Sequence, residues 1–379
     1  MSSTSVSPRV SRSATVTNTV IITLVIMGFV WLKARRSALE RSLAQRPLKP
    51  PLIEISGVAR HLSRPDLYWS HNDSLDRPRL FLIDQRGALI SEHDAAHRPH
   101  AETSVKNSIK SSVKTPVKAS RDSAMLSAVS NVDWEDITSV SEDPYDGERI
   151  IYVADSGNNF HWRDDLVIYA FSEPQRDHDP LRLLSVYPYR FPHQTRSPPT
   201  LYRAGARRCL DSEAMFWWRG ELFLIGKCIF GGETTLWRLP RERLDQTRDR
   251  EESGNRPHRH SQLTLEASAP VEITPDAHPL RERVTGAALD PRSDSLAVLT
   301  YQSVWLFSIG GSPHAPMITK RARCLLAQAS AQPVHQAEAI EWEHQAPADV
   351  SADKRSLLIL TEGRGVHSLT IDVKRWECL

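Results

Sequence analysis

The sequence predicts an all-β fold, a single β-propeller of five four-stranded blades over residues 51–372. Three observations predict it. A short acidic or glycine-containing apolar segment occurs five times, an apolar run ending on a polar residue follows it each time, and a third apolar run follows every such pair. Internal repeats of roughly 40 to 50 residues are typical of propellers. The long segments between the second and fourth repeats leave room for a sixth blade.

The repeated runs have the composition of β-strands. They are short, rich in Val, Ile, Leu, Tyr and Trp, and separated by Gly, Asn, Asp and Pro, which favours strands over helices. The predicted first strands are residues 56–59, 134–137, 212–215, 285–288 and 337–340. The predicted second strands are residues 67–73, 150–155, 222–227, 296–301 and 357–362. The predicted third strands are residues 80–84, 166–171, 236–239, 304–307 and 366–369.

The last repeat has no fourth run of its own. Its three runs are followed only by a C-terminal tail, residues 373–379. Propellers remove an exposed edge by closing the ring, commonly with a strand from the other end of the chain. We therefore expect residues 51–55 to pair with the final repeat. An open solenoid, the alternative, would need capping ends that the sequence does not contain.

A membrane anchor is predicted ahead of the propeller. A polar tail, residues 1–15, is followed by an uncharged apolar segment, residues 16–32, near the lower length limit for a spanning helix. A basic linker, residues 33–50, comes next. A cleaved signal peptide would also have a basic start and an apolar stretch. Because Lys33-Ala34-Arg35-Arg36 offers no small-residue cleavage site, we expect an uncleaved single-pass anchor. The basic residues after the span outnumber those before it, which by the positive-inside rule places the propeller in the cytoplasm.

Two polar segments interrupt the blades. Residues 101–127 are rich in Ser, Lys and Val, and we expect a disordered insertion there, although a helix would carry a basic face suited to a membrane surface. Residues 245–262 are predicted to be a polar loop. Of the four cysteines, Cys209 and Cys228 flank the first two strands of the third repeat and could pair in an oxidising compartment, whereas Cys378 is predicted to be a bystander.

The charge balance excludes one class of partner. The chain has 48 Lys plus Arg against 46 Asp plus Glu, and phosphate binding needs a concentrated basic face, so we expect no nucleic acid partner. The sequence also contains no P-loop, H-E-x-x-H or G-x-S-x-G motif.

The most distinctive motif lies in the second repeat. It contains Asp133-Trp134-Glu135-Asp136, then Tyr152-Val153-Ala154-Asp155-Ser156-Gly157-Asn158-Asn159, and ends with Glu173-Pro174. Here the chain resembles a family of largely uncharacterised bacterial propeller-like proteins, usually exported or membrane-anchored, with D-W-E-D, Y-x-x-D-x-G-N-N and closing E-P motifs. The resemblance covers about residues 54–372, and Ala154-Asp155-Ser156 departs from the usual Gly-Asp-Ile type of turn. The resemblance implies that the propeller lies outside the cytoplasm on an N-in anchor, whereas the basic residues after the span favour the opposite orientation. The family has no assigned reaction, so the resemblance implies no particular activity.

The candidate site consists of polar residues at equivalent places in different blades. First strands line the central channel of a propeller, and the ends of the second strands lie near one channel mouth. Oxygen ligands converging without histidine or thiolate suit Ca²⁺. The predicted ligands are Glu135, Asp155, Glu213, Glu338 and Glu362, with Asn72 and Asn158 as secondary carbonyl donors. The predicted channel-lining residues are Asp73, Asp136, Asn159, Lys227 and Thr300. Alternatively, these acids accept hydrogen bonds from backbone amides of neighbouring blades and hold the ring in register.

Two classes of function remain open on this evidence. The first is a ligand- or partner-binding scaffold at the cell envelope, whose channel mouth recognises an unidentified ligand or protein. The second is a calcium-dependent hydrolase of the lactonase or phosphoesterase type, which needs an open metal position and a base within reach. The sequence favours the binding module and leaves catalysis undecided.

Overall fold

Five antiparallel sheets follow one another along the chain in the computed structural model. The structure describes residues 52–74, 76–95, 129–141, 148–159, 163–177, 179, 181–192, 210–228, 234–240, 262–273, 282–290, 292–326, 336–344, 353–362 and 365–378. Contacts group Leu48–Leu379 as one unit. Both predicted insertions lie outside the described residues, except for Gln262 at the end of the second one.

The first three sheets are built as follows. The first contains β1 (Ile55–Arg60), β2 (Leu67–Asn72), β3 (Arg79–Asp84) and β4 (Leu89–Asp94). The second contains β5 (Trp134–Val140), β6 (Ile150–Asp155), β7 (Val167–Ser172) and β8 (Arg182–Arg190), with the short β12 (Leu263–Thr264) added in parallel at its edge. The third contains β9 (Ser212–Trp218), β10 (Glu221–Gly226), β11 (Thr235–Leu239) and β13 (Glu266–Pro270). Between β11 and β13 of the third sheet, the chain therefore contributes β12 to the edge of the second sheet.

The last two sheets are simple meanders. The fourth contains β14 (Val284–Asp290), β15 (Ser295–Thr300), β16 (Ser303–Ser312) and β17 (Ala315–Leu325). The fifth contains β18 (Ala337–Trp342), β19 (Lys354–Thr361), β20 (Gly365–Asp372) and β21 (Glu377–Cys378). Five sheets, not six, therefore account for the described residues.

The innermost strands form a closed ring. β1 packs on β5, β5 on β9, β9 on β14 and β14 on β18, and β18 packs back on β1. This arrangement is a five-bladed β-propeller, as the repeats predict. The second strands of the first four blades are buried along their whole length, and β19 of the fifth blade is buried over its last five residues, because each lies inside its blade and between two neighbouring blades.

Five separate hydrophobic clusters hold the ring, one at each junction between neighbouring blades. The cluster that joins the last blade to the first packs Leu52, Ile55 and Phe81 against Leu358 and Leu360. Side-chain packing therefore joins the last blade to the first, and the burial of apolar surface stabilises this junction by about 25 cal/mol per Å².

The predicted closure by residues 51–55 is wrong in its hydrogen bonding. The fourth strand of the last blade is its own C-terminal segment, because β21 pairs with β20. Ile55 instead begins the innermost strand of the first blade, opposite Asn72. A two-residue strand carries no periodic pattern, which is why the tail is not recognisable as a strand in the sequence.

The prediction for Cys378 is also wrong, since it forms a disulfide with Cys324 in β17 of the fourth blade. Cys228 is disulfide-bonded too, and its expected partner Cys209 lies outside the described residues. Within the described ranges, no helix is long and apolar enough to cross a membrane. The predicted anchor, residues 16–32, is not among them.

Candidate functional site

A β-bulge recurs at the second residue of the innermost strand in every blade. At this point the pairing of the first two strands skips one residue of the first strand. The skipped residues are Ser56, Glu135, Glu213, Thr285 and Glu338. A bulge removes a residue from the normal alternation and redirects its side chain. One polar side chain per blade is thereby directed at the same end of the central channel.

A second set of residues lies where each second strand ends. These residues follow β2, β6, β10, β15 and β19 directly, and they are Asp73, Ser156, Lys227, Tyr301 and Glu362. In four of them the backbone amide donates a hydrogen bond to the carbonyl of the residue two positions before the bulge of the same blade. The accepting carbonyls are those of Glu54, Asp133, Asp211 and Gln336. The same local structure therefore brings three positions of a blade to one end of the channel. They are the residue two positions before the bulge, the bulged residue itself and the residue that follows the second strand.

We call the charged end of the channel the acidic mouth. It consists of Asp73, Asp133, Glu135, Glu213, Lys227, Tyr301, Glu338 and Glu362. Glu135, Glu213 and Lys227 are buried and form its floor. The other five side chains are partly exposed and surround the opening. Six carboxylates thus share the mouth with one ammonium group.

Three of these carboxylates converge across the junction of the first two blades. Asp73, Asp133 and Glu135 each place one oxygen so that all three lie within 4.8 Å of one another. Gly157 lies beneath them, and a Cβ atom there would overlap Asp133 Oδ2 and Glu135 Oε1. The absence of a side chain at this position gives the two carboxylates room to approach. Oxygen donors alone, without His or Cys, are the ligands of a hard cation such as Ca²⁺.

The electrostatics of the cluster disfavour full ionisation of its acids. Burial and the neighbouring Asp73 carboxyl raise the pKa of Asp133 to about 8. Burial and Glu213 raise the pKa of Glu135 well above its usual range. Glu135 also accepts a hydrogen bond of 3.3 Å from the Ser56 hydroxyl. A bound cation would offset both the repulsion and the loss of hydration.

Lys227 compensates one acid of the floor. Its ammonium group contacts the carboxylate of Glu213 and lies 3.3 Å from the Tyr301 hydroxyl. Burial lowers the pKa of Lys227, but Glu213, Tyr301 and Glu135 outweigh that effect and keep it well above its usual value. Burial raises the pKa of Glu213 to about 8 despite the ion pair.

Glu338 and Glu362 are the two acids that the fifth blade contributes to the mouth. Enclosure within the ring, then Glu362 and Glu213, raise the pKa of Glu338 well above its usual range. Among the described residues, no backbone amide donates to Glu135, Glu213 or Glu338. These acids therefore differ from those that join blades together.

Other predicted residues do join blades. Asp136 accepts a hydrogen bond of 2.6 Å from the backbone amide of Met215 in the third blade and one from the amide of Ile137. Glu341 similarly accepts from the amides of Arg60 and Trp342. For Asp136, the alternative interpretation of the acids, hydrogen bonding between blades, describes the structure.

Asp155 and Asn158 organise a turn and lie outside the converging triad. Asp155 accepts hydrogen bonds from the amides of Val132 and Asp133 and forms a 2.8 Å ion pair with Arg163. The side chain of Asn158 donates to the Leu210 carbonyl and accepts from the amide of Arg163. Since the residue after the second strand faces the mouth, it is Ser156 and not Asp155 that occupies the equivalent position.

The remaining predicted residues have local roles. Asn72 donates to Asp76, at 2.7 Å, in a turn of the first blade. Thr300 donates to Glu282 and accepts from the amide of Ser303 in the fourth blade. Asn159 is half-buried in the turn after Asn158.

Three residues of the site were not predicted from the sequence, namely Asp133 as a candidate ligand, Tyr301 as a partner of Lys227 and Gly157 as the space beneath the triad. Asp133 is the first residue of the D-W-E-D motif, so the motif could have indicated Asp133 as a site residue. Tyr301 follows the second strand of the fourth blade, just as Asp73 and Glu362 follow theirs.

No protein-family model matches the chain, and no curated protein matches its sequence. Solved structures match over most of its length at low identity. The periplasmic gluconolactonase PpgL of Pseudomonas aeruginosa is 12% identical, over 85% of this chain and 70% of that one, with a TM-score of 0.36. Sqt1 of Chaetomium thermophilum, bound to the N-terminus of the ribosomal protein L10, is 10% identical over 89% of each chain, with a TM-score of 0.41. The WD40 domain of Toxoplasma gondii coronin is 9% identical, over 86% and 59%, with a TM-score of 0.34. Such distant similarities carry no conclusion about a ligand or a reaction.

Proposed function

We propose that this protein is a membrane-anchored propeller that binds a ligand or protein partner at the cell envelope through its acidic mouth, with Ca²⁺ or a similar hard cation held in the mouth. The convergence of Asp73, Asp133 and Glu135 above Gly157 carries this proposal. Three carboxylate oxygens supply three of the six to eight oxygen ligands that Ca²⁺ takes, and the ligand or water supplies the others.

The charge of the mouth supports a cation. Lys227 is committed to Glu213 by direct contact. Lys227 and Arg163 offset part of the negative charge of Glu135 and Asp133, but the pKa of both acids stays raised, because burial of a carboxylate charge such as that of Glu135 costs several kcal/mol. Either protons or a cation must therefore reduce their charge, and at neutral pH a divalent cation does so while leaving the oxygens available as ligands.

The side of the mouth next to the triad supports binding of a further group. Glu338 and Glu362 are partly exposed and belong to the fifth blade, whereas the triad spans the first and second blades. A ligand held at the cation would lie beside these two acids. We therefore expect the recognised group to be neutral or cationic near them.

The disulfides support a location outside the cytoplasm. Cys324 pairs with Cys378, and Cys228 is also bonded. Disulfides form and persist in oxidising compartments and are rare in the cytoplasm. Together with the predicted anchor at residues 16–32, they favour an N-in orientation with the propeller outside.

A hydrolase is the second candidate, since the same cation would serve it. Glu213 lies in the mouth, and its pKa of about 8 suits a group that exchanges protons near neutral pH. Hydrolysis of lactone or phosphoester substrates that is lost in Glu213→Gln, with cation binding retained, would favour this candidate over a binding module.

Metal content tests the proposal. The full-length protein, purified in detergent and stripped with EDTA, is dialysed against Ca²⁺, Mg²⁺ or Zn²⁺ and analysed for bound metal. We expect one Ca²⁺ per chain in the wild-type protein and a loss of at least tenfold in affinity in Glu135→Gln. Asp136→Asn is the matched control, because Asp136 accepts backbone hydrogen bonds and should leave binding unchanged. Absence of bound metal in the wild-type protein would contradict the proposal.

A further inference from the structure

The C-terminal strand β21 is too weak to hold its place by backbone pairing. It has only two residues, Glu377 and Cys378, which pair with Asp372 and Ile371. Both residues of the strand are exposed. Trp376, just before it, has a φ of 57°, in the left-handed region that is unfavourable for a non-glycine residue. Two ladder pairs at an exposed edge add only a small net stabilisation.

The disulfide supplies what the pairing lacks. Cys324 is 2% exposed and lies in β17 of the fourth blade, opposite Val304. Its bond to Cys378 ties the last strand of the fifth blade to the neighbouring blade across a sequence separation of 54 residues. The Arg321 guanidinium lies 5.8 Å from the centre of the Trp376 ring, so the turn before β21 also contacts the fourth blade.

We infer that the Cys324–Cys378 disulfide is a reducible latch: β21 stays on the fifth blade while the bond is intact, and reduction by a dithiol releases the C-terminus and exposes the outer edge of β20. The inference is independent of the cation site, because the latch lies at the rim of the ring and the acidic mouth at its centre.

The accessible half of the bond is Cys378, since its strand is exposed and Cys324 is buried. A thiolate of the dithiol attacks Sγ of Cys378, the bond between the two cysteines breaks, and Cys324 leaves as a thiolate that takes up a proton. The second thiol of the reductant then attacks the mixed disulfide and releases Cys378 as a thiol. Two electrons pass to the protein, and the dithiol becomes a cyclic disulfide.

Amide hydrogen exchange of the full-length protein tests the latch. In Cys378→Ser, we expect exchange over residues 365–378 to become at least tenfold faster, while exchange over β15 and β16 stays at the wild-type rate. The melting temperature should fall by about 5 to 10 °C, as loss of a disulfide closing a loop of this size predicts. Cys228→Ser is the control that removes the other disulfide, and it should leave exchange over residues 365–378 unchanged.

Reduction of the wild-type protein gives a second measurement that needs no variant. Dithiothreitol should speed exchange over residues 365–378 in step with the alkylation of Cys378, before the ring unfolds. Unchanged exchange of this segment in both Cys378→Ser and the reduced wild-type protein would overturn the inference. Global unfolding on reduction, with no earlier local step, would overturn it as well, because the disulfide would then support the whole ring.

Discussion

The Lys227 ammonium group contacts the Glu213 carboxylate on the floor of the acidic mouth, where both side chains are buried. This contact neutralises one of the six acids, whereas in the triad the pKa of Asp133 and of Glu135 stays raised despite the nearby charges of Arg163 and Lys227. The mouth is thus divided into an ion pair on the third blade and a candidate cation site between the first and second blades.

Replacement of Lys227 by Met should be strongly destabilising. It leaves Glu213 buried without its partner, and breaking a buried ion pair in this way costs about 3–5 kcal/mol. Chemical denaturation of Lys227→Met measures the loss. The double variant Glu213→Gln/Lys227→Met should recover most of it, and a double variant no more stable than the single one would show that Lys227 acts through other contacts.

Asp136 should matter for folding and not for the cation. Asp136→Ala removes the acceptor for the amides of Met215 and Ile137 and should cost about 2–4 kcal/mol, the penalty for two unsatisfied buried donors. Equilibrium unfolding measures this cost. Bound metal per folded chain should remain at the wild-type value, and a loss of metal together with stability would place Asp136 in the site.

Stability of the metal-free protein should fall as the pH rises from about 6.5 to about 8, above the range in which the lowered pKa of His61 and of His71, about 4 in each case, acts in the opposite direction. Asp133 and Glu213 have a pKa of about 8 in the folded chain, above their ordinary values of 3.8 and 4.5. The folded state therefore holds more protons than the unfolded state across this window, and stability decreases with pH. Melting in EDTA at several pH values measures the trend.

The same titration has a matched control. Glu213→Gln should flatten the slope, since one of the carboxyls with a raised pKa no longer titrates. A wild-type melting temperature that rises steadily from about pH 6.5 to 8, with the same slope in Glu213→Gln, is the contrary result.

The propeller should be accessible from outside the cytoplasmic membrane. Protease added to intact spheroplasts is expected to digest it, because the disulfides and the predicted N-in anchor favour an external location. A cytoplasmic marker protein must survive the same treatment. Protection of the propeller until lysis would reverse the orientation and make the positive-inside count the better guide.

The fold was predictable because the strands of each blade repeat in a fixed order. The sequence places all fifteen predicted inner strands where the structure has them, since most of them are buried apolar runs, although β20 of the fifth blade is only partly buried. The closing strand was not predictable: β21 has two exposed residues, and its position depends on a disulfide between residues far apart in sequence.

The site was predictable in part for a related reason. The acids Glu135, Glu213 and Glu338 stand out because they interrupt apolar strands, but the bulge that directs them to the mouth leaves no pattern in the sequence. Successive strand residues face opposite ways, so an error of one residue in the sequence assigns the wrong side chain to the mouth. Asp155 was predicted there but pairs with Arg163, and Ser156, the next residue, occupies the equivalent position. Only the structure brings Asp133 beside Asp73 from another blade.

Calorimetric titration with Ca²⁺ tests the central claim most directly. The wild-type protein should bind one Ca²⁺, and at a hundredfold excess over Kd the ion should stabilise the fold by about 3 kcal/mol. Asp133→Asn should bind at least tenfold more weakly, while its metal-free melting temperature equals or exceeds that of the wild type, since the variant removes a carboxyl whose ionised form is disfavoured at this position. Equal heats of binding for the two proteins, or no heat for the wild type and unchanged melting with Ca²⁺ and with EDTA, would contradict a cation site at Asp73, Asp133 and Glu135.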